Sequence, residues 1–70
     1  MRLSEYRKRL GMTQKQLSEA SGVNLRTLQQ YEAGSKDISK AAAESVISLA
    51  EVLRVSPRDL MPVQGFTELN

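Results

Sequence analysis

Arg26 and Gln30 stand four residues apart, with Thr27 and Gln29 between them. The run that holds them keeps its apolar members Leu28 and Tyr31 at helical spacing, so the polar residues fall largely on the opposite, outward face. A guanidinium carries two parallel donors that match O6 and N7 of guanine, and a glutamine amide matches N6 and N7 of adenine. Leu25, one residue earlier, offers only apolar contact, most naturally to a thymine methyl. One short helix would thus display groups suited to reading base edges.

Other chemistry has little to work with. The seventy residues contain no cysteine and no histidine, which removes disulfides, thiolate metal sites and the commonest general base. Glu19, Glu32, Asp37 and Glu44 have no partner base, nucleophile or cofactor loop beside them, so no enzyme, metal or cofactor is expected. The net charge of +2 is unevenly spread: residues 1–40 net +4 and residues 41–70 net −2. The basic half is the half that carries Arg26 and Gln30, as a polyanion-binding surface requires. No apolar run approaches the roughly 18 residues of a membrane span and no signal-peptide apolar region opens the chain, so a cytoplasmic location is expected. The length suits one small domain, with no room for a separate ligand-sensing or cleavage unit.

The elements that position these side chains follow from caps and periodicity. Leu3, Tyr6 and Leu10 recur at helical spacing and predict a first helix over residues 2–10, stopped by Gly11. Thr13 has the chemistry to cap a second helix, about Gln14–Ser21, with Leu17 and Ala20 inward and Ala20 small enough for close helix approach. Gly22 supplies the positive φ of a sharp turn, Val23 plugs its angle, and Asn24 caps a third helix, Leu25–Ala33, that ends at Gly34. These two short helices joined by a tight turn are the layout of a helix-turn-helix DNA reader. The polar stretch 35–39 reads as a loop pinned by Ile38. Ser39 is expected to cap a fourth helix over residues 40–54, with Ala43, Val46, Leu49, Ala50 and Leu53 buried. Pro57 suits the first position of a short fifth helix capped by Ser56 and closed by Leu60. Tyr6, Tyr31 and the methionines read as core or rim. No strand pattern appears, so the fold class is all-α.

The run Thr13-Gln14-Lys15-Gln16-Leu17-Ser18-Glu19-Ala20-Ser21-Gly22-Val23, then Leu28, Tyr31-Glu32 and Gly34, then Leu49-Ala50-Glu51-Val52-Leu53-Arg54-Val55-Ser56 and Leu60, resembles the Cro/C1-type (XRE) helix-turn-helix family. Phage repressors and many small bacterial transcription factors belong to it. The resemblance covers about residues 3–61 and agrees in register across caps, turns and core. It implies a compact five-helix, lambda-repressor-like domain at residues 1–61 that binds operator DNA, commonly as a dimer, with helix three in the major groove.

By that resemblance Gln14 contacts a phosphate and braces the recognition helix. Leu25, Arg26 and Gln30 fall at base-facing positions, flanked by Asn24, Thr27 and Gln29. Ser35, Lys36 and Lys40 grip the DNA backbone from the loop and the start of helix four. Arg7 and Glu32 match a salt-bridged pair between helices one and three. One departure stands out: the stretch between Gly34 and Leu49 looks about one helical turn longer than in compact phage repressors, with residues 37–41 as the added material.

The leading expectation is a sequence-specific transcriptional regulator, a repressor, acting on double-stranded operator DNA as a homodimer, with no membrane role. The alternative is a protein-interaction module, antitoxin-like or an adaptor, that keeps the fold and binds a protein partner through helix five and the tail, residues 62–70. Met61, Val63, Phe66 and Leu69 motivate it, because apolar side chains in a short tail need covering; the competing expectation is that the tail folds back on its own core.

Overall fold

The structure, a computed structural model, describes residues 2–61. Helix α1 spans Arg2–Arg9 and directs Leu3 and Arg7 inward. The expected extension to Leu10 fails: its N–H still bonds the Tyr6 and Arg7 carbonyls, but Leu10 is 43% exposed and outside the helix. The chain turns there because the Gly11 N–H closes back on Lys8 and the Met12 N–H on Arg7, which carries Leu10 off the core face.

Helix α2, Gln14–Ser21, begins at a reciprocal cap. The Gln16 N–H donates to Thr13 Oγ1 at 3.0 Å, and the Thr13 N–H donates to Gln16 Oε1 at 2.8 Å, so two otherwise orphan donors are satisfied. Leu17 is its buried residue. Ala20 is exposed, so the expected close approach at that position does not occur. The helix ends at Gly22, whose φ of 80° is readily adopted only without a Cβ. Ser18 then ties the turn shut, its hydroxyl donating to the Val23 carbonyl at 2.6 Å.

Asn24 caps helix α3, Leu25–Ala33, its Oδ1 accepting from the Arg26 N–H at 2.9 Å and the Thr27 N–H at 3.3 Å. Leu28 and Tyr31 are buried. The next segment departs from expectation. Asp37, rather than Ser39, is the cap: its carboxylate takes both the N–H and the hydroxyl of Ser39, at 2.9 and 2.7 Å, and starts a separate 3-10 turn over Ile38–Lys40. That turn sinks Ile38 completely into the core. Ala41 and Ala42 are extended, so helix α4 starts only at Ala43 and runs to Leu53. Val46, Leu49, Ala50 and Leu53 form its buried stripe, whereas Ala43, expected among them, is exposed.

The expected fifth helix is a second 3-10 turn, Pro57–Leu60, held by the Ser56 N–H on Asp59 Oδ2 at 3.0 Å. Four residues leave no length for a run of bonds between residues four apart, so the tighter pattern wins. The described residues therefore form four α-helices and two 3-10 turns without a strand, an all-α fold.

The core gathers Leu3, Leu17, Val23, Leu28, Ile38 and Leu60 with the α4 stripe. Burying each large aliphatic side chain contributes about 1.5–3 kcal/mol. Helix α2 packs on α3 and α4, α1 packs on α3, and the second turn bridges α1 and α4. Helix α3 is thus gripped from within by two helices, which leaves its other face to solvent.

Candidate nucleic-acid interface

The position of α3 is fixed by a polar cluster rather than by packing alone. Arg7, only 9% exposed, forks onto Glu32 of α3: Nε donates to Oε2 at 2.7 Å and Nη2 to Oε1 at 3.0 Å. Its Nη1 donates to the Met12 carbonyl at 2.8 Å, which ties the same guanidinium to the link before α2. Gln14 completes the cluster, its Nε2 donating to Glu32 Oε1 at 3.0 Å. The Glu32 carboxylate so joins α1, the start of α2 and the last turn of α3, and the Arg7 guanidinium adds the α1–α2 link. Burial alone would push the Glu32 carboxyl up; hydrogen bonds from Arg7 and Gln14 and the charges of Arg7 and Lys8 outweigh it and hold the group below the usual carboxylate range. The Glu32 hydrogen bond raises the Arg7 guanidinium further, so the pair stays ionised.

On the outward side of α3, Arg26 and Gln29 are exposed and Gln30 is half-buried. Together with Ala33 and Ser35 they line one open depression of about 290 Å³. Four of the expected contact residues, Arg26, Gln29, Gln30 and Ser35, are thus brought together, and Ala33 joins them without having been expected. A small side chain there leaves the floor open between two long polar ones.

The others are spread around this face. Asn24 sits exposed at the tip of α3 with its side-chain oxygen engaged in the cap. Leu25 and Thr27 are half-buried. Lys36 is exposed in the loop after α3, where the backbone N–H groups of Ser35 and Lys36 both close onto the Gln30 carbonyl, at 3.0 and 3.3 Å. Backbone donors of that loop are therefore spent on ending the helix, the Ser35 hydroxyl also donates to the Gln30 carbonyl at 3.4 Å, and the Lys36 side chain is what the loop offers outward. Lys40 is exposed but lies in the first 3-10 turn, not at the start of α4. Gln14 retains a second amide N–H beside the α2 N-terminus, where the helix dipole favours an anion.

What this surface offers chemically is a guanidinium, four amides and lysine ammoniums on a rigid frame. Among the described residues no group of three or more acidic, histidine or cysteine side chains could hold a metal ion, and no helix is long and apolar enough to cross a membrane. A helix-turn-helix family model matches residues 3–60, from α1 through the second 3-10 turn. The chain belongs to the Cro/C1-type (XRE) helix-turn-helix family. It is a DNA-binding regulator of the XRE type, and the family is one of DNA-binding domains rather than enzymes. No curated protein and no solved structure matches the chain significantly.

The direct bond between Gln14 and Glu32 was not evident from sequence. The two residues lie 18 positions apart, and no local pattern links them.

Proposed function

We propose that this XRE-type domain is a sequence-specific repressor that inserts α3 into the major groove of an operator and binds as a two-fold dimer. The observation that carries it is the clustering of Arg26, Gln29 and Gln30 around one open depression on a helix braced from behind by Glu32. Arg26 and Gln30 read base edges, aided by Leu25, Asn24, Thr27 and Gln29 along the same helix. Gln14, Ser35, Lys36 and Lys40 take phosphates, Gln14 through the amide N–H not used on Glu32. Two such helices related by a two-fold axis enter successive major grooves, roughly 34–36 Å apart. Residues 1–61 make up the DNA-binding unit, and the protein works without a metal or cofactor.

Selection of bound DNA from a random pool, followed by titration of the selected site at two salt concentrations, tests this. A palindromic site with half-sites one helical turn apart and a steep salt slope is the expected result. Affinity no better than for random DNA overturns it.

A further inference from the structure

Where the two 3-10 turns meet α4 the surface opens into a groove of about 390 Å³, walled mainly by Ala41, Ala43, Val46, Ile47, Pro57 and Met61. It shares no lining residue with the depression on α3. Ile47 is the notable member: it is 46% exposed, one of two large apolar side chains so exposed among the described residues. A concave, largely apolar surface with a bare isoleucine in its wall favours a cover.

We propose that residues 62–70 of the same chain cover this groove, with Val63 and Phe66 set against Ile47. The groove supplies its own tether. Met61, the last described residue, lines it, so the following segment starts at its edge. At roughly 3.3–3.6 Å per residue, Val63 lies within about 7 Å of Met61 and the nine residues together reach about 30 Å, ample for the whole groove. In Pro62-Val63-Gln64-Gly65-Phe66-Thr67-Glu68-Leu69-Asn70 the apolar residues recur at every third position, with polar ones between them, and Phe66 is the chain's only phenylalanine. That pattern offers one apolar side to a surface. A segment joined directly to the groove edge acts at an effective concentration of order millimolar, which favours it over a second copy at ordinary protein concentrations.

The chain has no tryptophan, so Phe66→Trp in the full chain places a single reporter at the proposed contact. The expected emission is blue-shifted and protected from acrylamide, unchanged across a hundredfold range of protein concentration, and shifted red when Ile47→Ser is added. Ile47 is exposed, so this change leaves the helical circular dichroism intact; should it not, Ala43→Glu, one helical turn earlier on α4, makes the same comparison from another exposed lining position. Solvent-like emission from the single variant overturns the proposal. So does protection that grows with protein concentration, which assigns the groove to another copy, and so does protection indifferent to both groove substitutions.

Discussion

Gln14, at the first position of α2, donates its side-chain amide to Glu32 in the last turn of α3 at 3.0 Å, and the oxygen that accepts it also accepts Arg7 Nη2 at 3.0 Å. The start of one helix and the end of the other are thereby locked through a single carboxylate oxygen. A residue proposed to touch phosphate is at the same time a strut of the helix proposed to read bases.

Substitution of Gln14 separates those two roles. Gln14→Ala removes one hydrogen bond to a charged acceptor that keeps its Arg7 partner, so stability falls by about 1.5–3 kcal/mol at most. DNA affinity is expected to fall at every sequence, because a phosphate contact carries no base information. Gln14→Glu also places a negative charge toward Glu32 and toward phosphate, and is expected to lose more on both counts. Urea unfolding alongside binding titrations checks this; unchanged affinity in the alanine variant removes Gln14 from the interface.

The Arg7–Glu32 pair is sensitive to the loss of either partner alone. Its side chains are 11% and 7% exposed, so Arg7→Met strands a buried carboxylate and Glu32→Met a buried guanidinium. Each is expected to cost about 3–5 kcal/mol, a large part of the roughly 5–15 kcal/mol that holds a small domain together. The double variant is expected to be more stable than either single one, since no charge is then left buried without its mate. Equal destabilisation in all three, measured by urea unfolding, would show that the pair's worth lies in its apolar stems.

Stability should also respond to acid in a defined direction. The folded Glu32 carboxyl lies below its unfolded value, so its contribution is complete above the unfolded pKa of about 4.3 and is lost as pH falls through the folded one. Melting temperature is therefore expected to be flat from neutral pH to about 5 and to drop steeply below about 4. Glu32→Gln lowers the plateau but reduces that drop. A variant whose acid limb matches the parent's would assign the effect to other carboxylates.

How far these features were legible from sequence depends on their range. Thr13, Gly22 and Asn24 could be placed by type alone, because a cap or a left-handed turn is satisfied within a few residues. Ala20 and Ala43 read as inward yet lie exposed, because periodicity gives the face of a helix, not which part of that face a neighbour covers, while Leu10 keeps the helical spacing but lies past the turn that ends α1. Ser39 reads as a cap by type, yet Asp37, two residues earlier, takes its N–H and hydroxyl, and burying Ile38 holds that turn. At the interface, helical spacing alone groups Arg26 with Gln30 on one face. That Gln14 braces the recognition helix follows from the resemblance, but that it does so through Glu32 depends on where α2 and α3 come to lie, and only the folded chain displays it.

Arg26 and Lys36 are expected to fail in different ways when truncated. Arg26 lies exposed in the α3 depression, where a guanidinium discriminates a guanine by about 1–3 kcal/mol; Arg26→Ala should flatten preference at one position of each half-site. Lys36, exposed on the following loop, should lower affinity for all sequences alike and reduce the salt slope by about 1 per half-site. Binding titrations on the selected operator and on single-position variants distinguish them. The same uniform loss from both substitutions would place Arg26 on phosphate instead.

The remaining leverage on stability is at the end of α4. Arg54 there adopts φ 60° and ψ 42°, the one left-handed non-glycine among the described residues, and its N–H closes the helix onto Ala50 and Glu51. A side chain in that conformation costs about 1–2 kcal/mol, which glycine avoids at an entropic cost of roughly 0.5–1 kcal/mol in the unfolded chain. Arg54 is exposed, so little packing is lost with it. Arg54→Gly is therefore expected to stabilise the domain by about 0.5–1 kcal/mol, a rise of several degrees in melting temperature. Because the residue lies outside the α3 depression, operator affinity at low temperature should not change. A fall in melting temperature would mean that the arginine side chain contributes more to the helix end than its backbone strain removes.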